Sequence, residues 1–170
     1  MTPQFRPARI EDVPLIRSLA IRIWHESYRE MLSEAQRNYM LDWMYAHQKL
    51  DGEIRRGVTY LIVEIDGEPC GYLAWEPLPG ESTLHLHKLY LLARWQGRGI
   101  GQAMLERVFH AARTGGLTAV ELRVNQGNTR ALRAYARAGF ERADTMVTDI
   151  GNGFVMDDYV LRKRVDPAKS

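Results

Sequence analysis

The stretch Leu89-Tyr90-Leu91-Leu92-Ala93-Arg94-Trp95-Gln96-Gly97-Arg98-Gly99-Ile100-Gly101 constrains this chain more than any other. Aliphatic residues suited to a strand pass into three closely spaced glycines. From Gly99 the apolar positions Ile100, Met104, Val108 and Ala111 recur at helical spacing until Gly115-Gly116 stops them. A strand that turns on glycines straight into a helix is an α/β element. Such a turn presents successive backbone N–H groups, and the helix dipole adds positive potential at the same place. Glycine lets a phosphate approach the backbone with no Cβ in the way. The stretch therefore suits a phosphate or pyrophosphate, although an ordinary helix-opening turn explains it about as well. A P-loop would end in Gly-Lys-Ser/Thr, and here the residues are Ile100-Gly101-Gln102. The dinucleotide fingerprint would need glycine in place of Gln102.

The remaining pattern extends this α/β reading. Gln4 to Arg9 is a short strand. Asp12 is placed to cap a helix reaching about Tyr28, with Pro14 in its first turn and Val13, Ile16, Leu19, Ala20 and Ile23 on one face. A second helical stretch starts at Ser33, carries Tyr39, Met40, Trp43 and Met44, and restarts before Gly57. Val58 to Ile65 and Cys70 to Trp75 form a hairpin about Asp66-Gly67. Thr83 to Leu92 is the strand that feeds the glycine turn, and Leu117 to Val124 is another. Asn128 opens a helix that Gly139 ends. Phe140 to Ile150 and Phe154 to Val165 close the chain around Gly151-Asn152-Gly153. The predicted fold is a mixed, mostly antiparallel sheet of about seven strands with helices on both faces, in a single domain over residues 1–170.

Composition excludes several classes. With 45% hydrophobic and 26% charged residues, a chain of 170 residues is an ordinary globular domain. No apolar run approaches the roughly 18 to 20 residues that span a bilayer. The start, MTPQFRPARIEDVP, has no apolar core of a signal peptide, so a cytoplasmic protein without a membrane partner is expected. The lone cysteine, Cys70, rules out a disulfide framework and reads as a small core residue. A net charge of +2 is too small for a nucleic-acid surface. Its distribution says more: from Arg94 to Arg137 eight arginines face only Glu106 and Glu121, a local +6 against −4 elsewhere. That segment suits a polyanionic ligand.

A second motif gives the glycine turn its meaning. In Asn128-Thr-Arg-Ala131-Leu-Arg-Ala-Tyr135-Ala-Arg-Ala-Gly139-Phe140, Asn128, Ala131 and Tyr135 share one helix face. Together with Gln96-x-x-Gly99-x-Gly101 about thirty residues upstream, this motif resembles the GNAT superfamily of acetyl-CoA-dependent N-acetyltransferases. The resemblance extends to the element order over nearly the whole chain. It implies that Gln96, Gly97, Arg98, Gly99, Ile100, Gly101 and Gln102 wrap the pyrophosphate of coenzyme A. It also implies that the backbone of Leu89, Tyr90 and Leu91 pairs with pantetheine as an added strand would, and that Asn128 contacts the cofactor near the same arm. Arg98, with Arg94 or Arg130, would supply positive charge.

Acetyl transfer needs a neutral amine, a stabilised oxyanion and a protonated leaving thiolate. From spacing alone Tyr135 would be a core tyrosine; the resemblance makes it the proton donor to the thiolate. The Leu89 amide is expected to donate to the acetyl carbonyl. Many GNAT enzymes carry a glutamate eleven residues ahead of the Gln96 position, and this chain has His85 there. His87 lies two residues on and points to the same face. Histidine as a residue type titrates near neutrality, so either could relay a proton through water, and His85 stands as base on equal terms with a polar strand face that only lines the acceptor cleft. Some relatives use a glutamate on the following strand, where this chain has Arg123, which cannot act as a base. With no acidic or cysteine partner at ligand spacing, the two histidines do not read as a metal pair, and no metal is expected.

Acceptor recognition is expected near Trp24, His25, Tyr28, Met31 and His87, with the sequence cluster Asp149, Asp157 and Asp158 nearby. Aromatic and acidic groups suit an ammonium, and the C-terminal run from Asp149 to Tyr159 looks similar to spermidine/spermine acetyltransferase-type members. A polyamine or other small primary amine is the expected acceptor, with a peptide or lysine amine second. A non-catalytic acyl-CoA-binding module is the rival from another class; replacement of the glutamate by His85 favours it and retention of Tyr135 opposes it. An ATP-binding protein is a third. Superfamily members are often dimers, so the resemblance leaves room for a homodimer.

Overall fold

The computed structural model describes residues 2–167. In chain order the elements are β1 (Gln4–Pro7), α1 (Val13–Ser27), α2 (Glu34–Met44), α3 (His47–Arg55), β2 (Thr59–Ile65), β3 (Glu68–Pro77), β4 (Thr83–Leu91), α4 (Ile100–Thr114), β5 (Ala119–Asn125), α5 (Thr129–Arg137), β6 (Glu141–Gly151) and β7 (Phe154–Arg164). The strands form a seven-stranded sheet in the order β1-β2-β3-β4-β5-β7-β6. It is a mixed sheet: β4 and β5 run parallel, whereas β1–β2, β2–β3, β5–β7 and β6–β7 are antiparallel. The chain divides into two compact units, Met1–Trp75 with Lys88–Gly101, and Glu76–His87 with Gln102–Ser170.

In the first unit α1 buries Val13, Ile16, Leu19, Ala20, Ile23 and Trp24 along one stripe, as its spacing dictates. Asp12 stands at the cap position, but its carboxylate does not cap α1. It accepts from both terminal nitrogens of Arg6, at 2.9 and 3.2 Å, and from the Arg9 backbone N–H at 2.8 Å. An arginine on the neighbouring strand outbids the local cap. The second helical stretch is two helices, α2 and α3, with Tyr45 and Ala46 between them. Ser33 caps α2 by accepting from the Gln36 N–H at 3.1 Å. Arg37 is buried and donates to the carbonyls of Arg29 and Leu32, closing the chain end that follows α1. Asp66 and Gly67 both have positive φ, 51° and 79°, the geometry of a tight hairpin turn between β2 and β3.

In the second unit the pairing of β4 with β5 covers Thr83–Leu86 against Ala119–Leu122. Strand alternation then sorts the side chains. Leu84, Leu86, Val120, Leu122, Val124 and Leu161 are buried. Lys163, two residues from Leu161, lies over the Phe109 ring of α4, so this is the face that α4 covers. Thr83, His85 and His87 of β4 fall on the opposite face with Glu121, Arg123 and Asn125 of β5 and Asp158 and Arg162 of β7. An apolar core on one side and a polar row on the other is the arrangement that positions the chemistry. Arg162 ties the far end of that row together, donating to Glu121 at 3.3 Å and to the Thr83 hydroxyl at 3.2 Å. The closing hairpin turns through Gly151, Asn152 and Gly153, all with positive φ.

Candidate active site

The glycine turn is built as its sequence demands. A single 3-10 turn at Ala93–Trp95 follows β4, Gly97 and Gly99 take φ of 77° and 83°, and α4 opens at Ile100. A Cβ at Gly99 or Gly101 would meet nothing within 4 Å, so open space stands before this backbone. The exposed residues Gly97, Arg98 and Gly99, that space and the amino end of a 15-residue helix together fit a pyrophosphate. Gln96 does not reach outward: its side-chain amide donates to the Leu91 carbonyl at 3.0 Å and holds the turn against its strand. Arg94 and Arg98 lie over the Trp95 ring, at 5.3 and 5.2 Å from its centre. Arg94 is also paired with Glu68, which leaves the exposed Arg98 as the better-placed charge of the two.

Helix α5 begins as the motif predicts. Asn128 caps it, its side-chain oxygen accepting from the Ala131 N–H at 3.2 Å. With that oxygen committed, the Nδ2 amide is the part of Asn128 able to donate to a ligand. Tyr135 is half-buried, its ring edge-on to Phe140 at 5.5 Å, and Phe140 in turn packs 5.7 Å from Phe109. Gln102 donates to the Ala134 carbonyl at 3.3 Å, which joins α4 to α5 one residue before that tyrosine.

His85 and His87 meet edge-to-face, with ring centres 4.5 Å apart. Burial, reinforced by His87 and Arg123, pushes His85 down to about 4. His85 is therefore neutral near pH 7, and its Nδ1 is buried with no hydrogen-bond partner. His87 differs: its Nε2 lies 2.8 Å from the Glu76 carboxylate, and the two side chains are 28% and 26% exposed. Glu76 is the residue that sequence reasoning missed. Nothing local in Glu76-Pro77 announces a partner on another strand. The acidic cluster also separates in the fold. Asp149 accepts from the Gly151 N–H and Asp157 from the Gln126 side chain, both 2.9 Å, so each serves a turn. Asp158 is buried on the His85 face of the sheet, and burial raises its carboxyl against the pull of Arg123.

In the first unit Trp24, Tyr28, Tyr45, Tyr72 and Tyr90 pack ring against ring, with centres 4.9 to 6.3 Å apart. Trp24 is 2% exposed, so it is a core residue that supports Tyr28 and Tyr90 rather than a surface of its own. Tyr28 and Tyr90 are half-buried. Lys88, on the opposite side of β4 from His87, is buried with Tyr60 and Glu53. Cys70 donates to the Val63 carbonyl at 3.4 Å, and burial pushes its thiol up to about 11, which makes it an inert core residue. Among the described residues no group of three or more histidine, cysteine or acidic side chains is placed to hold a metal ion. No helix among them is long and apolar enough to cross a membrane.

Compared with known proteins, residues 19–140 match the model of the acetyltransferase (GNAT) family. The chain belongs to that family. This acetyltransferase is 24% identical, over 100% of its length and 99% of the relative's, to an L-methionine sulfoximine/L-methionine sulfone acetyltransferase of Pseudomonas paraeruginosa. It is 27% identical to an aminoglycoside N(6')-acetyltransferase type 1 of Klebsiella pneumoniae, over 84% of this chain and 73% of that protein. Its fold matches the PaiA N-acetyltransferase of Thermoplasma acidophilum, solved in complex with coenzyme A. The TM-score there is 0.83 and the identity 22%, over 96% of this acetyltransferase and 99% of that chain.

Proposed function

We propose that this acetyltransferase transfers acetyl from acetyl-CoA to a primary amine of a small molecule by direct attack, and the open glycine turn before α4 carries the reading. The backbone from Gln96 to Gln102 fits the pyrophosphate, Arg98 adds charge, and the Leu89, Tyr90 and Leu91 backbone with Asn128 Nδ2 takes the pantetheine arm. Acetyl-CoA supplies an activated thioester carbonyl. The chain's own work is to polarise that carbonyl, through the Leu89 N–H, and to manage protons. Tyr135 gives its phenolic proton to the departing sulfur and recovers one from the new amide nitrogen. His85 and His87 line the acceptor side on the polar face of β4.

Relatives that act on an amino-acid analogue and an aminoglycoside support a small acceptor. A spermidine/spermine-type acceptor enters as one arm of the test, and a peptide amine as another. Free-thiol release from acetyl-CoA is measured against polyamines, amino acids and their analogues, aminoglycosides and short peptides. Release with one class names the acceptor. Tyr135→Phe is expected to lower kcat about 100-fold with acetyl-CoA affinity retained. A Tyr135→Phe enzyme as fast as wild type at every pH would remove the tyrosine from the mechanism. Tight acetyl-CoA binding with no thiol release for any amine would favour the non-catalytic acyl-CoA-binding module.

A further inference from the structure

Two histidines share the polar face of β4, and their surroundings differ in kind. His85 has its Nδ1 sealed from solvent without a partner, and it is held neutral by burial and by the positive charge of Arg123. A base must both reach its proton and hold it. His85 has lost basicity, and one of its two nitrogens is sealed. His87 has a carboxylate instead. Its Nε2 lies 2.8 Å from Glu76 Oε1, within hydrogen-bond range, and both side chains are about a quarter exposed, at 28% and 26%. A carboxylate can only accept, so Nε2 carries the hydrogen and the lone pair sits on Nδ1. The same carboxylate stabilises the imidazolium that forms when Nδ1 takes a proton. A histidine oriented by an acid through its other nitrogen is a recurring arrangement for a general base.

We propose that His87, oriented by Glu76, is the residue that takes the proton from the acceptor's ammonium group, with Glu76 as its positioning residue. The inference rests on the acetyl-transfer reading above. In the step, the N–H bond of the ammonium breaks and its electron pair stays on nitrogen as the proton moves to His87 Nδ1. The neutral amine then forms the C–N bond to the acetyl carbon as the C–S bond breaks. Sulfur leaves with the Tyr135 proton, the amide nitrogen returns one to Tyr135, and His87 releases its own to water. The groups that bear on the pair are Glu76 on β3, His85 on β4, Arg123 on β5 and, beside Arg123, Asp158 on β7. At His85, His87 and Arg123 oppose a positive charge and Glu76 offsets them in part.

The test is the pH dependence of kcat at saturating acceptor for wild type, His87→Gln, Glu76→Gln and His85→Gln, with 15N NMR of the imidazole nitrogens of the free enzyme. The acidic limb of the profile is expected to vanish in His87→Gln, with kcat lowered about 100-fold. In Glu76→Gln the limb persists while kcat falls, since His87 loses the carboxylate that orients it. In His85→Gln the limb stays in place, whatever happens to the rate. The NMR spectrum is expected to show His87 in the Nε2–H tautomer, a preference weakened in Glu76→Gln and unaffected by loss of catalysis. A limb unchanged in His87→Gln, a limb lost in His85→Gln, or an Nδ1–H tautomer at His87 would each overturn the proposal. A wild-type enzyme silent towards every amine would overturn the acetyl-transfer reading instead, and the tautomer would still decide whether Glu76 orients His87.

Discussion

Gly71 shows how much a single missing side chain can matter. It sits within β3, and a Cβ there would stand on the backbone oxygen of Tyr90, with Leu91 Cα at 3.2 Å and its Cδ1 at 3.3 Å. The obstacle is backbone, which cannot rotate aside as a flexible side chain does. Gly71→Ala must therefore push β4 away over Tyr90 and Leu91, residues expected to present their backbone to the cofactor. A loss of about 2 kcal/mol is expected, within the usual range for overpacking a filled site, together with a higher KM for acetyl-CoA. Thermal melts and acetyl-CoA titrations of the variant check both. Gly99 differs in cause: its φ of 83° is what forbids a side chain, and the space before it is open. The sequence advertised Gly99 through its neighbours, whereas Gly71 looked like any glycine in a strand.

At the scale of elements, the first unit is tied together by a polar knot inside its core. Lys88 of β4 donates to the Tyr60 hydroxyl of β2 at 2.6 Å, and that hydroxyl reaches Glu53 of α3 at 3.3 Å. Lys88 and Glu53 lie 3.7 Å apart, and the ammonium stands 5.1 and 5.2 Å from the Tyr60 and Tyr45 ring centres. Burial pushes the Lys88 ammonium down, and Glu53 pulls it back. Removing one partner of a buried pair leaves the other charge desolvated, which costs about 3 to 5 kcal/mol. Lys88→Ala should show that loss in a denaturant titration. Lys88→Met combined with Glu53→Gln should recover most of it, because the orphaned charge is then gone. If the double variant is no better than the single one, the knot is not held by charge. None of this was legible beforehand. Lys88 and Glu53 are far apart in sequence, and each resembles a solvated surface residue until the fold brings them together.

For the molecule as a whole, the uneven charge carries a prediction of its own. The excess of +6 between Arg94 and Arg137 lies in the stretch that holds the glycine turn, α4 and α5, within a chain of net +2. A polyanionic cofactor should feel that field, and salt should weaken it. Raising sodium chloride from 50 to 500 mM is expected to weaken coenzyme A binding on the order of 3- to 10-fold, read by calorimetry. Affinity independent of salt would mean that backbone hydrogen bonds alone hold the phosphates. The order of the elements, the hairpin at Asp66-Gly67, the cap at Asn128 and the turn into α4 were legible in the residues alone. Each of these depends on residues within one or two helical turns, where periodicity, capping and glycine geometry act directly. That Asp12 serves Arg6 instead of its own helix, that Trp24 is core, that His85 is desolvated and that His87 has Glu76 came from packing. Those outcomes depend on which strands become neighbours and which side chains lose their water, and both are set by long-range packing that no local pattern encodes.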